Sequence, residues 1–469
     1  MRIDVLPDDV LLGIFDFYMD VDLSYGGKME IEAWQSLVHV CRRWRRVVFG
    51  SPRCLNLRLV CTPKTPARDT LDVWPALPLL IRSFMAPSGV DNIIVALGQS
   101  NRVCQVGLAL ADRQMEKVFT AMQVPFPELT DLRLTSYGET PPVVPDSFLG
   151  GSASHLRIFG LFGIPFPGLP KLLLSATHLV ELYLSKIPHS GYFSPEAMAA
   201  LLSILSSLQT LRLEFQSPQS RPDWANRRPP PSKRSAIPAL DRFRFKGVIE
   251  YLEDLVTFID APQLDDLVVE LFNQIDFDGP RLAQFISRTP TFGACDKARV
   301  EFGDTHVSVG LHYYRGPDRS PPLLIRTPCY ERDRQLSSVV QICDSCLPFL
   351  SRVENLYIQE YFISELVWKI DAIDNTLWLE LLLPFRAVKN LYLSEDFTSG
   401  IATALGELVG TEVLPSLQKI LVEEIEPSGP LEVFQENIGQ FIAARQLSGH
   451  SITISVWNRS RHTAFSPVP

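Results

Sequence analysis

The chain has 469 residues, 46% of them hydrophobic, which is enough apolar mass for a large core and too much for a disordered protein. Its 44 basic and 53 acidic residues leave a net charge of −9, which argues against nucleic acid or a membrane surface as the partner, since both favour a basic face. Met1 to Val10 carry three Asp and a Pro where a signal peptide needs an apolar run. With no stretch of about 18 apolar residues elsewhere, the expected location is cytoplasm or nucleus.

In chain order, Leu6-Pro7-Asp8-Asp9 precedes Val10, Leu11, Ile14, Phe15 and Tyr18, which are spaced as on one face of a helix. Pro7 suits a first helical position, where its missing N–H is no loss, and Asp8 and Asp9 complement the dipole. A second helical pattern runs from Trp34 through Leu37, Val40, Cys41, Trp44, Val47 and Val48, with Arg42, Arg43, Arg45 and Arg46 on its other side. Residues 19–30, with Gly26-Gly27, read as a loop. So few short helices bury little surface and favour a partner.

From Leu129 onward a motif of the form apolar-x-x-apolar-x-apolar recurs at Leu129, Leu156, Leu179, Leu208, Leu240, Leu264, Val353, Val388 and Leu417. The first six starts are 23 to 32 residues apart, near the range of leucine-rich repeats. Helical patterns separate them, with Ser194-Pro195-Glu196 as a capped start and later helices expected at 251–259, 282–286, 364–383, 401–409 and 431–447. Such units cannot bury their apolar faces alone, so they should stack as a curved solenoid of parallel strands with outer helices. Two segments break the period. Residues 299–314 alternate as a hairpin does, with Gly303-Asp304 at the turn, and 216–238 is a Pro- and Arg-rich loop.

Chemical motifs are sparse. Cys343-Asp-Ser-Cys346 lacks the second ligand pair a structural zinc requires, so buried thiols are expected there. Asp276-Phe-Asp278-Gly279 lacks the remaining ligands of a calcium loop and reads as a turn before Pro280. Asn458-Arg-Ser460 is a sequon relevant only to a secreted protein. No nucleophile, metal or phosphate-loop motif is present, so neither catalytic residue nor cofactor is expected.

The N-terminal pattern, Leu6-Pro7-x-x-Val10-Leu11-x-x-Ile14-Phe15 followed by Leu37-x-x-Val40-Cys41-Arg42-x-Trp44-Arg45, resembles an F-box, with a longer loop between its halves than that family usually has. The resemblance implies an α/β protein in which a helical F-box module (1–55) precedes a linker with irregular repeats (56–128), a degenerate leucine-rich-repeat solenoid (129–457) and a tail (458–469). It further implies a non-enzymatic substrate adaptor of a Skp–cullin–F-box ubiquitin ligase. Leu6, Pro7, Val10, Leu11, Ile14, Leu37, Val40 and Trp44 would then meet the Skp-type adaptor, and an unknown protein substrate would meet the solenoid. The alternative is a scaffold that binds the adaptor without any role in ubiquitination. Strand side chains alternate between faces, so the residue between the last two apolar positions of each motif should point outward. That rule selects Arg133, Tyr183, Arg212, Arg244, Tyr357 and Tyr392 as target-binding candidates, Tyr and Arg being common at interface hot spots.

Overall fold

The computed structural model describes residues 6–22, 33–52, 55–84, 88–166, 171–222, 234–272, 278–313, 321–360, 375–406, 413–423, 438–439, 441–443, 445–447 and 449–457. Residues 23–32 of the segment before Trp34, residues 223–233 of the Pro/Arg loop, the first part of the helix expected at 364–383, the start of the one at 431–447, Asp276, the sequon and the tail lie outside the described residues, whereas residues 19–22, expected as loop, are helical. The chain divides into two compact units, Met1–Leu179 and Val180–Pro469.

Unit 1 begins with three helices, α1 (Asp8–Asp22), α2 (Ala33–Val40) and α3 (Arg42–Gly50). The single helix expected from Trp34 to Val48 is broken at Cys41, whose backbone is extended (φ −159°, ψ 170°). Its sulfur accepts from the Trp44 N–H and so caps α3, allowing α2 and α3 to fold back on each other. There follow β1 (Leu59–Cys61), α4 (Ala67–Val73), β2 (Leu79–Phe84), α5 (Val90–Leu97), β3 (Val103–Leu110), α6 (Asp112–Ala121), β4 (Asp131–Ser136) and β5 (Ile158–Phe162). The five strands pair in sequence order, all parallel. The ladder therefore starts at Leu59, where the sequence pattern gave only linker and irregular repeats up to residue 128. Strand β3 shows why: its residues Val106, Leu108 and Leu110 alternate correctly, but Gly107 and Ala109 between them blur the period.

Gly89 holds the entry to α5. Its φ of +90° lies in the left-handed region, and a Cβ there would stand 2.3 Å from the Pro63 carbonyl oxygen. Asn92 Nδ2 donates to the same oxygen at 2.8 Å, so the close approach is also hydrogen-bonded.

Unit 2 contains β6 (Glu181–Ile187), α7 (Pro195–Leu202), β7 (Thr210–Phe215), β8 (Ser235–Ala236), β9 (Arg242–Gly247), α8 (Ile249–Phe258), β10 (Ile259–Asp260), β11 (Asp266–Leu271) and α9 (Pro280–Arg288). It continues with β12 (Lys297–Phe302), β13 (His306–His312), β14 (Leu323–Pro328), α10 (Arg332–Cys346), β15 (Asn355–Glu360), α11 (Asn375–Leu382), β16 (Asn390–Leu393), α12 (Glu395–Gly406), β17 (Lys419–Glu423) and β18 (Thr453–Trp457). Strands β6, β7, β9 and β11 pair in parallel, as do β12, β15, β16, β17 and β18. Between these runs stand β14 and β13: β14 is parallel to β11, and β13 is antiparallel to both β14 and β12. Only β13 is reversed, so both flanking runs keep one direction. The short β8 and β10 form a separate parallel pair.

The principal strands bury one face, except the terminal β18, whose Val456 is 47% exposed. Leu182 and Leu184, Leu211 and Leu213, Phe243 and Phe245, Leu267 and Val269, and Leu356 and Ile358 are all buried. The helices cover this side, with α5 on β2, α8 on β9 and α10 on β13. Two helix starts of unit 2 are capped by side chains, one locally and one from the preceding helix. Ser194 Oγ accepts from the Ala197 N–H at 3.2 Å, as its position before Pro195 predicts. Glu253 on α8 accepts from the backbone N–H of Arg281 (3.1 Å) and Leu282 (2.6 Å) at the start of α9, and Asp254 pairs with Arg281 at 2.9 Å.

Glu253 is buried, and desolvation raises its pKa even though the two N–H donors and Arg281 act to lower it. A carboxyl raised on folding binds its proton more tightly in the folded chain, so its contribution to stability falls as pH climbs from the unfolded carboxylate range through the folded pKa. In thermal melts from about pH 4 to about pH 8, wild type should therefore lose stability relative to Glu253→Gln as pH rises. A difference in Tm that is flat across this range would show that Glu253 does not titrate in the folded protein.

Candidate interaction faces

The N-terminal helices sort the eight resemblance residues into three groups. Leu11 and Leu37 are buried, together with Phe15, Val38, Val47 and Val48, and form the module's own core. Leu6 and Trp44 are half-buried, Trp44 packing on Phe15 with ring centroids 4.8 Å apart. Pro7, Val10, Ile14 and Val40 point outward. On α1 the exposed Val10, Ile14, Phe17 and Tyr18 follow i, i+4, i+7, i+8 and make one apolar stripe, with Phe17 73% exposed. Beside it Arg43 bridges Asp8 at 2.7 Å and donates to the Leu6 carbonyl, pinning the start of α1 to α3.

Trp34 joins the module to the first strand–helix unit. Its Nε1 donates to the Arg58 carbonyl at 2.9 Å, and its ring meets Trp74 edge-on at 5.1 Å, with Phe49 and His39 also against Trp74. On the other side of α3, Arg42, Arg45, Arg46, Phe49 and Gly50 line a shallow cleft of about 550 Å³.

The second face is the side of the strands opposite the helices. In unit 1 Arg133 is exposed, beside Gly107 and Gly160 on the neighbouring strands, and it pairs with Asp131 at 3.5 Å. In unit 2 the cross-strand registers set Tyr183, Arg212, Arg244, Val268, Leu324, Gly310, Arg299, Tyr357, Tyr392, Leu421 and Ser455 side by side in one row. Five of the six candidates share this row, and Arg133 belongs to the other unit. Tyr183 Oη donates to Glu181 at 2.7 Å, and Arg212 Nε donates to Glu214 at 2.6 Å.

Two residues of this face escaped the repeat pattern. Arg299 lies on β12, outside the recurring motif; its guanidinium sits 5.8 Å from the Tyr357 ring centre and 3.7 Å from Glu301. Trp457 lies one pleat beyond the row on β18, its indole edge-on to Tyr392 (5.5 Å) and Tyr357 (6.1 Å), with Nε1 donating to the Leu393 carbonyl. The alternation of Ile452, Ile454 and Val456 would have assigned Trp457 to this face.

The pair Tyr357 and Tyr392 is stacked nearly parallel, with centroids 4.1 Å apart and planes at 10°. Burial and the adjoining Tyr392 hydroxyl push the Tyr357 phenol upward, so it stays neutral. The row is thus more packed than an outward position implies, and Tyr357→Ala would remove ring contacts with Tyr392 and Trp457. His312, opposite Lys297 on the adjoining strand, is driven down to about 3 by burial with Arg299 and Lys297 beside it, and is uncharged at neutral pH.

Among the described residues no group of three or more His, Cys, Asp or Glu could hold a metal ion, and no helix is long and apolar enough to cross a membrane. Cys343 and Cys346 lie buried in α10, and burial raises both thiols, Cys346 to about 12, which leaves them poor nucleophiles.

No protein-family model matches the chain, and no curated protein matches it. Among solved structures, the leucine-rich repeat-containing protein LegL7 from Legionella pneumophila aligns over 81% of this chain and 97% of its own, at 12% identity and a TM-score of 0.27. At that score the likeness carries no argument; the repeating strand–helix fold rests on the registers and burial above.

The ring stack supplies a direct measure of the row's packing. In a double-mutant cycle of Tyr357→Ala and Tyr392→Ala, thermal or denaturant unfolding should give a coupling of about 0.5 to 1.5 kcal/mol beyond the two single losses. Additive single effects would mean that the rings are not stacked in solution.

Proposed function

We propose that the protein is a substrate-recognition adaptor of a Skp–cullin–F-box ubiquitin ligase, holding the Skp-type adaptor with its N-terminal helices and a target protein with the strand face. One observation carries this reading. Helix α1 has two apolar sides, and only one is used by the fold: Leu11 and Phe15 enter the core, while Val10, Ile14, Phe17 and Tyr18 form a stripe in solvent. A small module that keeps this much apolar surface outside its own core is built to bury it on a partner.

On this reading the chain does no bond chemistry. Bringing a target's lysines to a ligase-bound ubiquitin raises their effective concentration, and the array needs only to be rigid enough to hold that geometry.

The test separates docking from folding. Val10→Asp with Ile14→Asp changes two solvent-facing residues and should abolish co-precipitation of the Skp-type adaptor while leaving the thermal melt within about 1 kcal/mol of wild type. Leu11→Ala, by contrast, should cost about 2 to 5 kcal/mol through the core itself. Adaptor capture that survives the double Asp change would overturn the proposed docking face, and capture of adaptor without cullin would remove the ubiquitination role.

A further inference from the structure

We infer that the strand face of unit 2 takes an acidic, extended peptide segment, with Arg244 as its principal anchor and Arg299 as the second. The inference rests on reading that face as the target surface and adds the chemistry of what binds there.

The charges in the row are of one sign. From Tyr183 to Ser455 its charged members are Arg212, Arg244 and Arg299, and no acidic residue occurs among them, although the chain as a whole carries a net charge of −9. The acids of this face stand one pleat to either side: Glu214, Glu270, Glu301 and Glu423 on one, Glu181 and Asp266 on the other. Most of them are engaged. Glu214 holds Arg212, Glu270 holds Lys246, and Glu301 accepts from Gln359 at 3.0 Å and Ser308 at 3.3 Å.

Arg244 is different. Among the described residues it has neither a hydrogen-bond nor an ion-pair partner, although it is half-buried between Arg212 and Val268. Asp266, diagonal to it on β11, feels its charge, yet burial outweighs that attraction and raises the Asp266 pKa. Arg299 is held over Tyr357 with its side chain only 16% exposed, so its direction is set before any ligand arrives.

Between the two arginines the row is apolar and shallow. Val268, Leu324 and Gly310 separate them, and Gly310 offers no side chain of its own. Four strand steps of about 4.8 Å place the two backbone positions roughly 19 Å apart. An extended peptide rising about 3.3 Å per residue crosses that distance in about six residues. The complementary segment therefore carries carboxylate or phosphate groups about six residues apart with an apolar side chain between them.

The aromatic residues argue against a nucleic acid on the same face. Base binding uses free ring faces as stacking platforms. Tyr357 has one face against Tyr392 and the other towards Arg299, and Trp457 stands edge-on to the pair.

A phage-displayed library of random peptides about twelve residues long, twice the expected span, panned on the full chain, tests this. Enriched sequences should carry Asp or Glu about six residues apart around an apolar residue. Fluorescence anisotropy with one such synthetic peptide should show at least about tenfold weaker binding to Arg244→Glu and to Arg299→Gln, both with wild-type melts. Binding should also weaken with added salt and on replacing the peptide's Glu with Gln. A version with phosphoserine for Glu separates the two anion sources, and binding of either form supports the inference. Enrichment of neutral or basic sequences, no enrichment at all, or indifference to Arg244→Glu would overturn it, as would Arg244-dependent binding of oligothymidylate. Neutral peptides lost on Tyr392→Ala would keep the target face and discard its acidic ligand. Loss of the adaptor contact alone would touch neither result.

Discussion

The pleat of the parallel strands is the constraint on which the rest of this protein depends. Side chains alternate between faces, so a strand that buries Leu182 and Leu184 must send Tyr183 the other way. Parallel pairing in register then repeats the rule from strand to strand, and the outward residues fall into rows without further instruction. The position of Arg212 beside Arg244 follows from the burial of Leu211 and Leu213 next to Phe243 and Phe245. Any substitution that slips one strand by a residue would move its aliphatic pair into solvent and break the row at that point.

The insertion around β13 shows how firmly the constraint acts. A reversed strand in a parallel ladder changes the hydrogen-bond pattern on both of its sides. Here Val307, Val309 and Leu311 still face the helices, and Ser308 and Gly310 still face the other way, because burial sets the alternation whatever the chain direction. Both outward residues are small and fully covered by longer neighbours, so the insertion thins the row instead of interrupting it. A Cβ added at Gly310 would already meet His312 Nε2 at 3.2 Å and the Leu324 side chain at 3.6 Å.

Legibility in the sequence followed the strength of each local period. Where Leu-x-x-Leu-x-Leu is clean, as from Leu129 and Leu208, both strand and facing could be read from the residues. Where Gly107 and Ala109 interrupt β3, the alternation is present but too weak to separate from a loop, and the early strands of unit 1 went unread. Helix ends depended on single residues: Ser194 before Pro195 was visible, whereas the break at Cys41 was not, because a cysteine cap has no distinctive spacing. Among the candidate residues, the rows were readable and the contacts were not. Nothing in the sequence near Tyr357 announces that Trp457, a hundred positions later, closes over it, or that Arg299 is its cross-strand neighbour.

The helical module poses the opposite problem, since its outward residues are not determined by a ladder. Helix α1 has few neighbours, and what holds it is a small set of contacts: Phe15 on Trp44, Arg43 on Asp8 and the Leu6 carbonyl, and the Leu11 side chain in the core. Trp34 fixes α2 against Trp74 and the Arg58 carbonyl, so the module is anchored at its second helix and less so at its first. An apolar stripe on the more weakly anchored helix gains the most from a partner: burying Val10, Ile14, Phe17 and Tyr18 would bring about 25 cal/mol for each Å² removed from water and would also restrain α1. Binding and folding are therefore coupled at this end of the chain, whereas in the strand face of unit 2 the row is already in place before a ligand meets it.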